Sequence, residues 1–319
     1  MTITSGILGK ATCVSVVERS LGANRNAINA RHPNSIFRLE QQCLNGCAAR
    51  TISFATKAHC LRPASSSWQR GLQSFHHNDE YAFPPMSDDR HTPDPEYEIT
   101  RERLARGTLL QALRADPPPG MTVRSDAELE RTLEATLEHH ERGRDLHVFG
   151  YGSLMWNPAL DFAGTSVARI DGWHRAFCLR LVAARGTPEQ PGAMLALDRG
   201  GLCDGVLYRI DAAKVESELR LLWRREMLSD SYEPEWITAK SGNQSIRALT
   251  FVVNRLHSRY LGGYSLERVA HLIRTGRGPL GTSQDYFDST VQALERFGLY
   301  DAGIERLLCK IRDAEINGV

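Results

Sequence analysis

The sequence predicts an α+β fold: a curved or barrel-like mixed sheet edged by helices. Three observations carry that prediction. Short β-like runs separated by turn residues begin at Asp145, one helix interrupts them after Asp211, and the pattern is helical beyond Tyr264.

Taken in order, "MSDDRHTPDPEYEIT" is polar and proline-bearing and reads as a linker, followed by a helix over 101–114 that "DPPPG" stops. Ser125-Asp-Ala-Glu128 is a capping-box pattern, with Leu129, Leu133 and Leu137 at four-residue spacing, which predicts a helix to about Arg142. Strands are expected over 145–151, 174–182, 193–197, 203–210, 235–240 and 246–253. "RGTPEQPG" and "DRGG" are read as turns between them. Asp211 is the expected N-cap of the inserted helix. Ser265, Thr282 and Asp301 are the expected caps of helices over 265–275, 282–297 and 301–315, with Gly276 and Gly298 as stops.

The 319 residues carry 39 basic and 38 acidic side chains, a formal net charge of +1. That balance argues against a nucleic-acid binder that works by phosphate neutralisation. No apolar run reaches the roughly 18 residues of a membrane span, so a soluble protein without a membrane partner is expected. Residues 1–85 stand apart, with four acids (Glu18, Glu40, Asp79, Glu80) against nine bases. They also hold Cys13, Cys43, Cys47 and Cys60. An unstructured accessory extension, or sequence upstream of a true start at Met86, is expected there. The Arg- and Ser-rich composition also resembles a mitochondrial transit peptide. Linker and N-terminal helices are then expected over 86–143, and a catalytic domain over 144–315. "CLNGC" lacks the second pair that a zinc site wants, and Cys178, Cys203 and Cys309 are widely spaced. This is a reduced, cytoplasmic pattern.

"DLHVFGYGSLMWNPAL" (145–160) is a strand-like run ending in a two-glycine turn. A dinucleotide site needs a third glycine where Met155 stands, and Trp156-Asn157-Pro158 opposes a long helix; only Asp171 has the right spacing for the acid. Ser153 lacks the second glycine of a nucleophile elbow. Two readings remain open. One is an ordinary turn in which glycine serves positive φ. The other is a concavity of backbone N–H groups, with the Ser153 hydroxyl, that holds a small carboxylate.

The helix after Asp211 points to the chemistry. Its apolar stripe is Val215, Leu219 and Leu222, and the next member is Glu226. Glu216 and Glu218 lie off that stripe and read as solvated. Burial of Glu226 would raise its pKa and suit it to acid/base work. The competing reading is a helix-end carboxylate that reaches water or pairs with Arg224 or Arg225. Glu189 is a second candidate, expected to be exposed between its prolines. His139, His140 and His147 show no metal-ligand spacing, and Trp156, Trp173, Trp223 and Trp236 read as core.

"VFGYGSLMWNP", "GWHRAFCLR", "RGTPEQPG", "LWRREM" and "GPLGTSQDY", in that order, resemble the ChaC-type γ-glutamylcyclotransferases that act on glutathione. The resemblance covers about Asp145 to Ala314. It implies a γ-glutamylcyclotransferase-like fold, a small mixed β-barrel-like sheet with surrounding helices. It implies a lyase that converts glutathione, its small-molecule partner, to 5-oxoproline and Cys-Gly, with no cofactor, metal or nucleotide. Val148, Phe149, Gly150, Tyr151, Gly152, Ser153 and Leu154 would form the substrate loop. The family's catalytic glutamate falls on Glu226, and Tyr286 matches a tyrosine near the pocket. Met155 stands where isoleucine is common in the family. Alternatives are a sister enzyme for other γ-glutamyl amino acids or amines, and a glutathione-binding regulator without turnover.

Overall fold

The structure, a computed structural model, describes residues 99–118 and 120–316. The extension expected over 1–85 and most of the expected linker lie outside the described residues.

The helix expected over 101–114 is two helices, α1 (Arg101–Arg106) and α2 (Thr108–Ala115). Gly107 adopts φ 71°, a left-handed conformation that closes α1 and that only glycine enters cheaply. Leu104, Leu109 and Leu113 of this pair bury themselves against Leu221. The capping box of α3 (Asp126–Leu137) forms as expected: the Ser125 hydroxyl accepts from the Glu128 amide, and Glu128 accepts from the Ser125 amide. The helix ends at Leu137, before the polar "HHERGR" stretch.

A closed barrel follows, in the order β1-β3-β2-β4-β5. Its strands are β1 (Leu146–Gly150), β2 (Gly164–Leu181), β3 (Gly192–Ile210), β4 (Tyr232–Ser241) and β5 (Gln244–Val253). β1 runs antiparallel to β3 and parallel to β5, so the sheet is mixed. Two expectations need correction. β2 starts ten residues before the expected 174, because its charged outer face hides the alternation. Ala168 and Ile170 point into the core, while Arg169 pairs with Asp204 and Asp171 pairs with Lys240 outside. The expected strands 193–197 and 203–210 are one strand, and "DRGG" is not a turn between them. Gly200 and Gly201, both at positive φ, form an irregularity opposite Gly172, and the ladder resumes at Asp171 and Leu202.

The inserted helix α4 (Val215–Glu226) follows a short 3₁₀ turn, Ala212–Lys214. Asp211 does not cap it with its side chain; Asp145 accepts from the Ala212 amide at 3.0 Å instead. Val215, Leu219 and Leu222 are buried as their spacing demands. Helices α5 (Leu266–Thr275), α6 (Ser283–Arg296) and α7 (Ala302–Ile316) follow, with a small hairpin of β6 (Arg277–Gly278) and β7 (Gly281–Thr282) between the first two. Ser265 and Thr282 cap α5 and α6.

Among the described residues no helix is long and apolar enough to cross a membrane.

Candidate active site

β1 delivers the glycine turn. Val148 and Phe149 are fully buried in the barrel and anchor it. Gly150 is required by close packing: a Cβ there would lie 3.0 Å from Leu154 Cβ and 3.1 Å from the Tyr208 ring. Leu154 is itself buried, and its carbonyl accepts from the Tyr208 hydroxyl at 2.7 Å. The turn continues as a 3₁₀ helix, Ser153–Met155, in which Met155 N–H donates to Gly152 O and Asn157 N–H to Ser153 O. The N–H groups at the start of such a turn have no acceptor inside it. Gly152 has φ −132°, so its role is space rather than handedness. A Cβ there would stand 3.1 Å from Leu195 and 3.5 Å from the Tyr286 hydroxyl. That places Tyr286, of α6, beside the turn, where its ring also packs edge-on against Trp156 and Phe177.

Two buried arginines hold this loop. Arg175 of β2 donates through Nε to Tyr151 O at 2.6 Å, and its other nitrogens reach Asp301 and Asp204 O. Arg225 of α4 donates to Asn157 O at 2.5 Å and to the Ser153 hydroxyl at 2.9 Å. Its Nε lies 2.9 Å from Glu226 Oε1. One guanidinium therefore fixes the glycine turn and the carboxylate relative to each other. In the sequence Arg225 is marked only as a candidate neighbour of Glu226. Its link to Ser153, 72 positions away, is a tertiary fact.

Glu226 ends α4 with 15% of its side-chain surface exposed. Burial raises its pKa above the ordinary carboxylate range, and Arg225 opposes that rise. Burial, and then the nearby Glu226 charge, push the Tyr151 and Tyr286 phenols upward. Both stay neutral hydroxyls at working pH. Tyr151 spends its proton on Phe251 O at 2.7 Å. Tyr232 spends its own on Leu195 O at 2.7 Å.

Glu218 is not solvated, contrary to the helical-face argument. It is 1% exposed and receives both terminal nitrogens of Arg101 at 2.5 Å, plus the Asp161 amide at 2.9 Å. The cause is α1, which lies over that face of α4. Arg101 also reaches Ala159 O, and Asn157 donates to Ile99 O at 2.9 Å. The segment that opens the described chain thus fastens the loop after the glycine turn. Glu189 is exposed as expected. Trp173 and Trp223 are buried; Trp156 and Trp236 are partly buried against the core.

The pattern of the ChaC-like protein family matches residues 146–314. A glutathione-specific gamma-glutamylcyclotransferase of Escherichia coli (strain K12) is 42% identical over 182 residues, 57% of this chain and 79% of that protein. Gamma-glutamylcyclotransferase 2-1 of Arabidopsis thaliana is 32% identical, covering 47% of this chain and 74% of its own. Glutathione-specific gamma-glutamylcyclotransferase 1 of Homo sapiens is 30% identical, covering 44% and 66%. The matched span includes the glycine turn, Arg175, Arg225, Glu226 and Tyr286, and the chain belongs to the ChaC-like protein family.

Proposed function

We propose that this protein is a glutathione-specific γ-glutamylcyclotransferase, a lyase that releases 5-oxoproline and Cys-Gly from glutathione. The observation that carries this reading is the Arg225 bridge, which sets a carboxylate largely withdrawn from water beside the glycine turn.

In the reaction the α-amine of the γ-glutamyl residue attacks its own γ-carbonyl carbon. A five-membered ring closes and the bond to the cysteine nitrogen breaks. The glycine turn holds the α-carboxylate through the leading N–H groups and the Ser153 hydroxyl. Fixing that end brings the amine within reach of the carbonyl, which is worth several kcal/mol of barrier in well-oriented intramolecular reactions, up to about 7–11. The amine arrives protonated. Ionised Glu226 removes one proton to free the nucleophile and passes it to the departing cysteine nitrogen. It then takes the second proton from the ring nitrogen as the lactam forms and hands it to the released amine, a contribution of roughly 10²–10⁴-fold. The neutral Tyr286 hydroxyl is the donor placed to meet charge that develops on the carbonyl oxygen. Its proximity to Gly152 and its response to the Glu226 charge support this role.

The test is incubation of purified full-length protein with millimolar glutathione and mass-spectrometric assay of both products. Equal release of 5-oxoproline and Cys-Gly is expected. Release only from other γ-glutamyl amino acids or amines would replace the substrate, and binding without any product would replace the enzyme with a regulator.

A further inference from the structure

Glutathione differs from simpler γ-glutamyl compounds at its far end, where a second carboxylate lies about 7 Å beyond the scissile carbonyl, two residues along the chain. A site that prefers the tripeptide wants a cation at that distance, with donors not already committed. The arginines that hold the loop do not qualify. Arg225 is committed to Glu226, Ser153 and Asn157, and Arg175 to Tyr151, Asp301 and Asp204. Arg259 keeps a buried Nε without a partner among the described residues, but its Nη2 is committed to Ser231 and Ser229.

Arg185 is different. It sits in the loop between β2 and β3, on the stretch "RGTPEQPG". Nη1 donates to Thr282 O at 3.2 Å and lies 3.8 Å from Asp285 Oδ2. That carboxylate oxygen is already accepting the Thr282 amide at 3.1 Å in the α6 capping box. Nε and Nη2 of Arg185 have no partner among the described residues, and a quarter of its side-chain surface is open. A guanidinium with one edge anchored and two donors on another is shaped for a bidentate carboxylate. Burial lowers its pKa, so its charge is only partly hydrated.

The loop is also held rigidly. Leu280 N–H donates to Ala184 O at 2.8 Å, and Arg277 N–H to Gln190 O at 3.2 Å. A Cβ on Gly278 would meet Ala184 O at 2.3 Å, and one on Gly276 would meet Gly192 Cα at 2.4 Å. Two of the motifs, "RGTPEQPG" and "GPLGTSQDY", are therefore packed backbone to backbone, and the second carries Tyr286. Arg185 therefore sits at the N-terminus of α6, and the Tyr286 hydroxyl of that helix's first turn borders Gly152 of the glycine turn.

Resting on the function proposed above, we propose that Arg185 receives the C-terminal carboxylate of the tripeptide and sets the preference for glutathione over γ-glutamyl compounds that lack this anion at this reach. It is a specificity-determining residue, outside the proton-transfer chemistry.

The test compares glutathione with the analogue whose glycine carboxylate is a primary amide. The full-length protein should favour the acid by roughly 10–100-fold in kcat/KM, the value of a charge-assisted pair, expressed in KM. Arg185→Gln should bring that ratio near one while leaving the amide's kcat/KM within about twofold, and Arg185→Lys should keep part of it. Equal losses for acid and amide would reduce Arg185 to a structural part and overturn the proposal, as would an unchanged ratio. If the parent protein turns over neither compound, calorimetric titration with both decides. A carboxylate preference in binding that Arg185→Gln removes sustains this assignment while the reaction is rejected; no such preference rejects both.

Discussion

Glu218 and Glu226 lie about two turns apart on α4, and both are largely withdrawn from water, with side-chain exposures of 2% and 15%. Glu218 is spent: Arg101 donates to both oxygens and the Asp161 amide adds a third bond. Among the described residues Glu226 has Arg225 as its one cationic partner, and the same guanidinium holds the turn. Burial is common to the two. Under the proposed function, what separates the structural carboxylate from the catalytic one is the acceptor capacity left over.

The sharpest way to break this comparison is Glu226→Gln. Turnover should fall by roughly 10²–10⁴-fold while the circular dichroism spectrum is kept. Full activity, or an unfolded chain, would end Glu226's assignment. The same variant reports on the buried charge. Because burial raises the folded-state pKa of Glu226, its favourable contribution is complete below the ordinary carboxylate range. It is lost as pH rises through the raised value. Glu226→Gln should therefore gain stability over the parent at neutral and alkaline pH but not at low pH, read from urea midpoints across that range.

Arg225→Met comes next. It frees the turn and removes the charge that opposes the rise in the Glu226 pKa. About a tenfold loss in kcat is expected. If Glu226 is the base proposed above, the acid limb of the kcat/KM profile should move to higher pH, since more alkaline solution is then needed to ionise it. A limb that stays put would dissociate Arg225 from Glu226.

Arg101→Ala tests the other carboxylate. It leaves Glu218 buried with only the Asp161 amide, and should cost about 2 kcal/mol in chemical denaturation, less than a fully buried pair because Arg101 is 41% exposed. Glu218→Gln should cost less, since Arg101 can turn to water. Equal costs would show that the two ends of α4 are not as different as their contacts indicate.

The smallest effect belongs to Gly152→Ala. Its backbone tolerates a side chain, but the methyl would press on Leu195 and the Tyr286 hydroxyl. A several-fold rise in KM with a loss of about 1 kcal/mol or less is expected. Unaltered kinetics would remove Gly152 from the substrate loop.

Much of the fold was legible because its signals are local. The Ser125 and Thr282 caps read correctly from a three-residue spacing, and the buried Val215–Leu219–Leu222 stripe from helical period, with the partly buried Glu226 at its end. Misreadings came where local signals conflict with distant partners. Charges on the outer face of β2 hid a strand whose Arg169 is matched by Asp204, 35 residues on. Gly200 and Gly201 resembled a turn until Gly172 across the ladder accommodated them. At the site, Glu226 and the glycine turn stood out from their neighbours, whereas Arg175 carried no mark of its clamp on Tyr151.

The sequence by itself determined the elements that depend on neighbours a few residues away: caps, helix faces, the glycine turn and a carboxylate on an apolar stripe. Periodicity and backbone geometry are local properties, so they are written in consecutive residues. Tertiary structure alone decided which charges are spent. Arg101 meets Glu218 across 117 positions and Arg225 meets Ser153 across 72, while two donors of Arg185 meet no partner among the described residues. Desolvation and pairing depend on what the folded chain brings from elsewhere, and no short-range pattern carries that information.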